Sequence, residues 1–251
     1  MLMLAGMTRP RDRFFVEGQR APGEIVELAR DDARKVVQVL RKSTGDRIVV
    51  VDSAAQEFGA TLLREGHVVR VSLEERLASR ADASPLAITL AQAIPKGQKM
   101  DFVIEKSTEL GIARLLPLQS SRSIGNATAH KLARWRKLAQ TAAAQSGRTT
   151  IPTVGEPVEF AELCAQMRSF DAVLFAWELE DGTPLRDTLA TIGPAQTILL
   201  VVGPEGGFTH DEVDAAAAAG AKIVSLGRRI LRTETAAIVL LAALHYERGE
   251  I

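Results

Sequence analysis

From residue 86 onward, short apolar runs alternate with longer segments of helical periodicity, and this alternation limits the possible folds more than any other feature of the chain. Strands that alternate with helices predict a mainly parallel sheet that is covered on both faces. Residues 198–202 are continuously apolar, which is typical of a strand buried on both sides. The predicted strands of this region are 86–93, 115–118, 171–177, 198–202 and 223–226.

Glycines and a capping pattern mark the ends of the helices between these strands. Gly111 and Gly147 each follow a periodic segment and suit the left-handed position after a helix. Thr209 and Glu212 form a capping box at the start of a helix that ends at Gly220. The other predicted helices are 98–110, 130–146, 157–167 and 235–246.

The first 77 residues have a different pattern, because short β-rich segments are separated by turn residues. A small β-barrel or sandwich fits this pattern. The predicted strands are 13–17, 24–28, 46–52, 58–63 and 68–73, with one helix at 31–42. Residues 78–85 are small and polar and have no periodicity. We therefore expect a first domain at 1–77, a linker at 78–85 and a second domain at 86–251.

Composition narrows the class of protein. Hydrophobic residues make up 46% of the chain and charged residues 25%, which is typical of a soluble globular protein. No apolar stretch is long enough to span a bilayer, and the apolar start at 1–8 is too short for a signal peptide. The single Cys164 excludes an internal disulfide, and the four histidines have no ligand-like spacing. We expect a cytoplasmic protein without a bound metal.

Charge is distributed unevenly, although the chain is neutral overall. Residues 96–148 contain ten Lys and Arg against three Asp and Glu, whereas residues 149–251 contain seven against fifteen. Basic stretches suit a protein that contacts phosphates, although many charge runs are only solvated faces. The basic middle segment therefore favours a nucleic-acid partner and leaves the alternative of a solvated surface open.

Two polar segments, 203–208 and 226–236, each follow an apolar run that is predicted to be a strand. Ligands bind at the carboxyl edge of the strands in an α/β sheet, and glycines let a ligand approach the main chain. The alternative is that Gly-Pro and Gly-Gly only form a turn. The phosphate-binding, dinucleotide-binding and nucleophile-elbow glycine motifs are all missing. The residues alone thus predict a small ligand with a planar or polar group and a phosphate-rich partner.

The combination of these two segments with several upstream motifs is highly specific. The segments are Gly203-Pro204-Glu205-Gly206-Gly207-Phe208 and Leu226-Gly227-x-Arg229-Ile230-Leu231-Arg232-x-Glu234-Thr235-Ala236. The upstream motifs are Arg13-Phe14-Phe15-Val16, Lys96-Gly97, Met100-Asp101, Lys106, Glu109-Leu110-Gly111, Arg134-Trp135 and Gln145-Ser146-Gly147-Arg148. Together they cover nearly the whole chain, which resembles the bacterial 16S ribosomal RNA uracil-N3 methyltransferase family, RsmE.

This resemblance implies a fold and a function. The family belongs to the SPOUT class, so the fold class becomes α/β with a C-terminal trefoil knot and a small PUA-like β-barrel that binds RNA. It also implies a homodimer that uses S-adenosylmethionine to methylate N3 of one uridine in 16S ribosomal RNA, in the assembled small subunit. Periodicity alone could not predict a knot, because knots are rare. The alternatives are a SPOUT methyltransferase that acts on another RNA base or ribose, and a ribosome-binding module without catalysis.

The resemblance also assigns the cofactor site, in which main-chain groups would bind the adenine. The implied cofactor-binding residues are Phe175, Ala176, Glu178, Val202, Gly203, Pro204, Gly206, Gly207, Leu226, Gly227, Ile230, Leu231, Thr235 and Ala236.

Methylation of N3 requires loss of its proton, and the negative charge then develops on the flanking carbonyl oxygens. A positioned guanidinium stabilises such an anion. We expect Arg232 in this role, with Arg229 as the alternative, unless one of them only pairs with Glu234 or Glu205. Either glutamate could accept the proton if burial raised its pKa, and water is a further candidate. The target base must be turned out of its stack.

RNA contacts are expected from basic residues in both predicted domains. They are Arg9, Arg11, Arg13, Arg41, Lys96, Lys99, Arg122 and Arg148. The chain departs from the family pattern at Arg34 and Lys35, where histidines are expected, and at Asp52-Ser53, where an Asp-Gly turn is expected. It also has Thr141 and Ala144 where the family tends to carry glutamates.

Overall fold

The computed structural model describes residues 12–66, 68–78, 86–180 and 183–251. These residues divide into two compact units. The described residues up to 78 form the first unit together with Ala143–Thr150, and the remaining described residues form the second. The segment Ala143–Thr150 thus belongs by its contacts to the first unit, although it lies within the stretch that was predicted as the second domain.

The first unit is built on a five-stranded curled sheet. Its elements are β1 (Arg13–Phe15), β2 (Ile25–Glu27), α1 (Arg30–Arg34), which continues into a π-helical turn (Lys35–Val39), β3 (Arg47–Val51), β4 (Glu57–Glu65) and β5 (Val68–Arg76). The strand order is β1-β3-β4-β5-β2, and the ladders are antiparallel except for the parallel pair β1 and β3. Phe14, Ile48, Phe58 and Val71 are fully or almost fully buried in its core.

The second unit is a layered α/β structure. Its elements are β6 (Ala87–Ala93), α2 (Lys99–Glu109), β7 (Arg114–Gln119), α3 (Ala129–Ser146), β8 (Thr153–Val154), β9 (Val158–Glu159), α4 (Phe160–Met167), β10 (Ala172–Ala176), α5 (Leu185–Thr191), β11 (Thr197–Val202), α6 (His210–Ala218), β12 (Lys222–Val224) and α7 (Thr233–Glu247). The strand order is β12-β10-β11-β6-β7-β8, with β9 also paired to β7, and all of these ladders are parallel.

Strand β11 explains why the sheet needs apolar residues on both faces. Ile198, Leu200 and Val202 point into the core that includes α2 and α7, whereas Leu199 and Val201 point into a second core on the opposite face. All five are at most 2% exposed. Successive side chains of a strand point to opposite faces, so a continuous apolar run is required when both faces are covered.

The predicted fold class is confirmed as a mainly parallel α/β sheet with a separate curled antiparallel sheet, while the trefoil knot stays a prediction. The helix predicted from residue 157 begins at Phe160, because residues 158 and 159 pair with β7 instead. Helix α5 has only seven residues, too few to show a periodic pattern, and was not predicted. Strand β12 ends at Val224, so residues 225 and 226 lie beyond it.

A buried ion pair lies in the first unit. Arg13 is 9% exposed and contacts the carboxylate of Glu57, which is fully buried. The Arg13 guanidinium also donates to the carbonyl oxygens of Gly147 and, at 2.8 Å, of Arg148. Arg148 is itself only 6% exposed. The prediction that Arg13 and Arg148 contact RNA is therefore not supported, because both side chains are engaged inside the unit.

We predict that Arg13→Met destabilises the protein by about 3–5 kcal/mol, because it leaves the Glu57 carboxylate buried without its cation. Urea denaturation followed by circular dichroism measures this change. Arg34→Met is the matched control, since Arg34 is exposed on α1. The double variant Arg13→Met/Glu57→Leu should be more stable than Arg13→Met alone. Equal stability of Arg13→Met and Arg34→Met would contradict the assignment.

Candidate functional site

A cleft of about 570 Å³ lies at the carboxyl ends of three adjacent parallel strands, β10, β11 and β12. Its walls come from residues 176–178, from the loop 203–209 that follows β11 (the glycine loop), and from the loop 225–232 that follows β12 (the arginine loop). Parallel strands end at the same edge, so these loops meet there. The volume lies within the range of roughly 300–1,000 Å³ that is usual for small-molecule sites.

The glycine loop has positions where no side chain fits. Gly207 has φ +66°, and a Cβ there would overlap Oε1 of Glu178. A Cβ on Gly203 would lie 3.0 Å from the ring of Phe208. Phe208 is buried and packs on Phe175 with ring centroids 4.3 Å apart. Phe208 thus fixes the loop to the core, and the glycines keep its main chain accessible from the cleft.

The hydroxyl of Thr233 connects the two loops. It donates to the carbonyl oxygen of Gly203 and accepts a hydrogen bond of 2.8 Å from Nε2 of Gln92. Gln92 lies on β6 and is fully buried, and Thr233 is 5% exposed. One buried side chain at the start of α7 therefore holds the glycine loop, the end of the arginine loop and the central strand β6 together.

The carboxylate of Glu205 is engaged by cations and N–H groups. It lies 2.7 Å from Nζ of Lys99 and accepts a hydrogen bond of 3.2 Å from the backbone N–H of Lys96. Burial acts to raise the pKa of Glu205, but Lys99 and the backbone N–H groups of Glu205 and Lys96 outweigh it, so the pKa is lowered. The condition under which Glu205 could act as a general base, a pKa raised by burial, is therefore not met.

Glu234 has a different environment. Its Oε2 is buried and has no hydrogen-bond partner among the described residues, and Lys99 Nζ lies 3.9 Å away. Of the two glutamates that were considered as proton acceptors, Glu234 is the one with a carboxylate oxygen that is not hydrogen-bonded.

Three exposed arginines of the arginine loop line the cleft: Arg228, Arg229 and Arg232. Within the described part of the chain, none of them has a carboxylate within ion-pair distance. Neither Arg229 nor Arg232 therefore pairs with Glu205 or Glu234. The cation beside both glutamates is Lys99. The guanidinium groups remain available to a ligand.

Most of the predicted cofactor residues line the cleft. They are Ala176, Glu178, Val202, Gly203, Pro204, Gly207, Leu226, Gly227, Ile230, Leu231 and Ala236. Phe175 is fully buried and packs behind the glycine loop, Gly206 lines a neighbouring pocket, and Thr235 is exposed outside the cleft lining. The binding roles of these residues stay predictions.

Sequence reasoning missed Ser225 and Thr233, which also line the cleft, and assigned Lys99 to RNA instead. Trp177 and Arg228 lie within the stretches predicted for the cofactor but were not singled out. Arg228 and Thr233 are the two unspecified positions of the motif 226–236, so the motif residues on either side of them could have indicated that they line the cleft. Trp177 Nε1 is buried without a hydrogen-bond partner in the described residues. An unsatisfied buried donor beside a cavity is a signal of ligand binding, but it requires coordinates.

The other predicted RNA-contacting residues differ in placement. Lys96 and Arg122 are exposed in the second unit, and Arg41 is exposed in the first with φ 53°. Arg9 and Arg11 lie outside the described residues.

The departures from the family pattern lie away from the cleft lining. The Lys35 ammonium lies 5.7 Å from the centroid of the Phe14 ring, and Arg34 is exposed. The Thr141 hydroxyl donates to the carbonyl oxygen of Lys137, and Ala144 is buried.

The described ranges contain no group of three or more His, Cys, Asp or Glu residues that could hold a metal ion. None of their helices combines the length and the apolar character needed to cross a bilayer.

Comparison with known proteins places this architecture among RNA-modifying enzymes. The family model described as "RNA methyltransferase domain" matches residues 82–245. Ribosomal RNA small subunit methyltransferase E of Bacillus subtilis is 29% identical over 94% of this chain and 96% of its own length. The protein of the same name from Mycobacterium tuberculosis is 32% identical over 92% of this chain and 90% of its own length.

A solved structure agrees with these sequence matches. Ribosomal RNA small subunit methyltransferase E from Neisseria gonorrhoeae, bound to S-adenosyl methionine, superposes with a TM-score of 0.85. It is 34% identical and covers 95% of this chain and 97% of its own. The likeness therefore extends over both units and not only over the sheet that carries the cleft.

We predict that Thr233→Val lowers the free energy of unfolding by about 1–3 kcal/mol, because the buried groups of Gly203 and Gln92 lose their shared partner. Thermal and urea denaturation measure the change. Thr233→Ser keeps the hydroxyl and should retain more of the stability, and Thr235→Val is the control at an exposed neighbour. If Thr233→Val were no less stable than Thr235→Val, the hydroxyl would not hold the loops together.

Proposed function

Because this chain belongs to the ribosomal RNA small subunit methyltransferase E family of RNA methyltransferases, we propose that it methylates N3 of a specific uridine in 16S ribosomal RNA with S-adenosylmethionine as the methyl donor. The observation that carries this proposal is the cleft between the glycine loop and the arginine loop. The cleft stands at the carboxyl edge of the sheet, in a chain similar to the Neisseria gonorrhoeae methyltransferase that is bound to S-adenosyl methionine.

The residues of the cleft fit this cofactor. Leu226, Leu231 and Ala236 supply an apolar wall, and Gly203 and Gly207 line the cleft without a side chain. Trp177 also lines the cleft, and its Nε1 is a buried donor without a partner in the described residues. Buried polar groups normally have partners, so a ligand with donors and acceptors would complete the site. S-adenosylmethionine supplies an electrophilic methyl group when bound.

The arginine loop is the element that we assign to the RNA base. Loss of the N3 proton places negative charge on the two neighbouring carbonyl oxygens of uracil. Arg232, exposed at the cleft and without an ion pair in the described residues, donates to one of these oxygens and stabilises the charge. Arg229 is the alternative donor. Both guanidinium groups are already free, so no internal ion pair has to break first.

The proton of N3 leaves either to a carboxylate or to water. Glu205 is engaged with Lys99, and its lowered pKa makes it a weak base. Glu234 keeps an Oε2 without a hydrogen bond in the described residues, but that oxygen is buried and Glu234 is not among the residues that line the cleft. Water is the other acceptor consistent with the exposed mouth of the cleft. Positioning of the base by the arginine loop then contributes more than the choice of proton acceptor.

The RNA partner and the location follow from the same assignment. We propose that the substrate is 16S ribosomal RNA in the assembled small subunit, which places the protein in the cytoplasm. Contacts to phosphates are assigned to Lys96 and Arg122 in the second unit and to Arg41 in the PUA-like first unit, together with Arg9 and Arg11. Such contacts release counterions, so binding should weaken steeply as salt rises.

We also propose a homodimer. Val239, Ala243 and Tyr246 are spaced by four and three residues and therefore share one face of α7. Val239 is 36% and Tyr246 74% exposed, which leaves this apolar face open to a partner. Tyr246→Glu should shift the protein towards a monomer in sedimentation equilibrium, with Glu247→Gln on the same helix as control. A monomeric wild-type protein at micromolar concentration would contradict the proposal.

The function is tested by mapping modified nucleotides in ribosomal RNA from a strain that lacks the gene, with and without the gene restored. The proposal expects one 3-methyluridine in 16S ribosomal RNA that disappears and returns with the gene. A methylated ribose, another base or transfer RNA that follows the gene would identify a different substrate. No change in any RNA, together with no binding of S-adenosylmethionine, would contradict the proposal.

We predict that Arg232→Ala lowers the methylation rate at saturating substrates by about 10²–10³-fold, because the developing charge loses its donor. Cofactor affinity measured by titration calorimetry should stay within about twofold of wild type, since Arg232 is assigned to the RNA base. Arg168→Ala is the control, as Arg168 is exposed outside the cleft lining. A wild-type rate for Arg232→Ala would move the role to Arg229.

A further inference from the structure

A second pocket of about 490 Å³ lies beside the cleft, and no step of the proposed reaction uses it. Its lining consists of Lys96, Ser121, Arg122, Ser123, Ile124, Glu205 and Gly206. Glu205 lines both cavities, so the two share a wall formed by the glycine loop. A molecule that extends out of the cleft across this wall would enter the second pocket.

The floor of this pocket is a preformed turn, residues 120–124, which we name the serine turn. The backbone N–H of Ser120 donates to the hydroxyl of Ser123 at 3.1 Å, and the two hydroxyl groups lie 2.9 Å apart. The backbone N–H of Ser121 donates to Oε1 of the buried Glu212 at 2.8 Å. These bonds hold the turn in one conformation, so little ordering is needed when a ligand binds.

Arg122 links the serine turn to the glycine loop. Its Nη1 donates to the carbonyl oxygen of Gly206 at 2.8 Å, and a Cβ on Gly206 would lie 3.4 Å from the Arg122 Cβ. This contact uses one nitrogen of the guanidinium and no carboxylate. The positive charge of Arg122 is therefore not neutralised within the described part of the chain.

Apart from Lys96 and Arg122, the basic segment 96–148 contains eight cations, and four of them are paired with carboxylates. Lys99 contacts Glu205, Lys106 contacts Glu105 and Glu109, Arg134 contacts Asp101, and Arg136 contacts Glu156. Lys96 Nζ, like Arg122, has no carboxylate within ion-pair distance among the described residues. Lys99 in turn neutralises Glu205, the acid that lines the pocket. The pocket therefore presents two cations without an ion pair, Lys96 and Arg122, and its one lining acid is already paired. Two such cations suit a phosphate, although the carboxylate of Glu212 lies against the backbone of Ser121 nearby.

An apolar side chain stands next to these charges. Ile124 is 71% exposed, although a β-branched apolar residue gains stability when it is buried. Beside two free cations, it offers a surface on which the flat face of a base or a ribose can rest. Cations that bind the backbone together with an apolar surface for the base are the combination used for single-stranded nucleic acids.

We propose that the second pocket binds the nucleotide adjacent to the methylated uridine, with its phosphate between Lys96 and Arg122 and its base against Ile124. The inference rests on the proposed function. A target base turned into the cleft leaves its neighbour in the strand at the shared wall, where this pocket begins. Because Arg122 also donates to the carbonyl oxygen of Gly206, binding there fixes the position of the RNA relative to the glycine loop.

The test uses the full-length protein and small ribosomal subunits reconstituted with ligated 16S ribosomal RNA, in which the methylation site identified by the mapping experiment and its neighbours can be altered chemically. Ile124→Gln and Lys96→Gln should each raise KM for RNA about tenfold and leave the maximal rate and the S-adenosylmethionine affinity unchanged. Ile151→Gln and Lys222→Gln are the matched controls, because both residues are exposed in the second unit outside either cavity.

Modified RNAs identify the occupant. An abasic residue next to the target uridine should raise KM for the wild-type protein but add little to the effect of Ile124→Gln, since both remove the same contact. A neutral methylphosphonate at the neighbouring linkage should likewise add little to Lys96→Gln. Lys96→Gln should also reduce the salt dependence of binding by about one counterion.

Two results would overturn the inference. One is a KM for Ile124→Gln and Lys96→Gln equal to that of the control variants. The other is that the RNA change and the protein change raise KM independently, so that their factors multiply, whichever of the two nucleotides beside the target uridine is modified. In either case methylation by the wild-type protein would leave the proposed function intact. Failure of the wild-type protein to bind S-adenosylmethionine or to methylate RNA would instead refute the proposed function, and this pocket assignment with it.

Discussion

The hydroxyl group of Thr233 is the interaction on which the site depends. It bridges the carbonyl of Gly203 and the side chain of Gln92, so the loops that follow β11 and β12 meet on the central strand β6. The cleft exists only where these loops are held together, because each loop alone supplies one wall. Without this bond two buried polar groups would lose a partner, so the connection is costly to open.

The distribution of charge around the cleft follows from one lysine. Lys99 contacts Glu205 and lies near Glu234, and it thereby keeps both acids from pairing with the arginine loop. Arg229 and Arg232 consequently face the cleft without an ion pair in the described residues. Acids and arginines that lie in adjacent loops could form ion pairs with each other. Here a lysine from α2, about a hundred residues earlier in the chain, separates the two roles.

The strands and helices of the second unit could be predicted because their sequence patterns are local. Strand β11 is the clearest case, because its continuous apolar run matches a strand whose side chains enter two cores. The motif segments located the cleft because they are contiguous in sequence. The burial of Arg13 was not predicted, because the groups that its guanidinium contacts, Glu57 and the carbonyl oxygens of Gly147 and Arg148, are distant from it along the chain. The direction of the pKa shift of Glu205 could not be predicted for the same reason, since burial raises this pKa while Lys99 and the backbone N–H of Lys96, both distant along the chain, help to lower it. Local sequence patterns do not show which charged residues pair with each other when the partners are far apart along the chain.

The central claim is that the glycine loop and the arginine loop form one cleft for S-adenosylmethionine. Hydrogen exchange measured by mass spectrometry, with and without saturating cofactor, tests this most directly. The account predicts slower exchange in peptides that cover 203–209 and in peptides that cover 225–233, with unchanged exchange in strand β4. Slower exchange in only one of the two loops, or in neither, would contradict it.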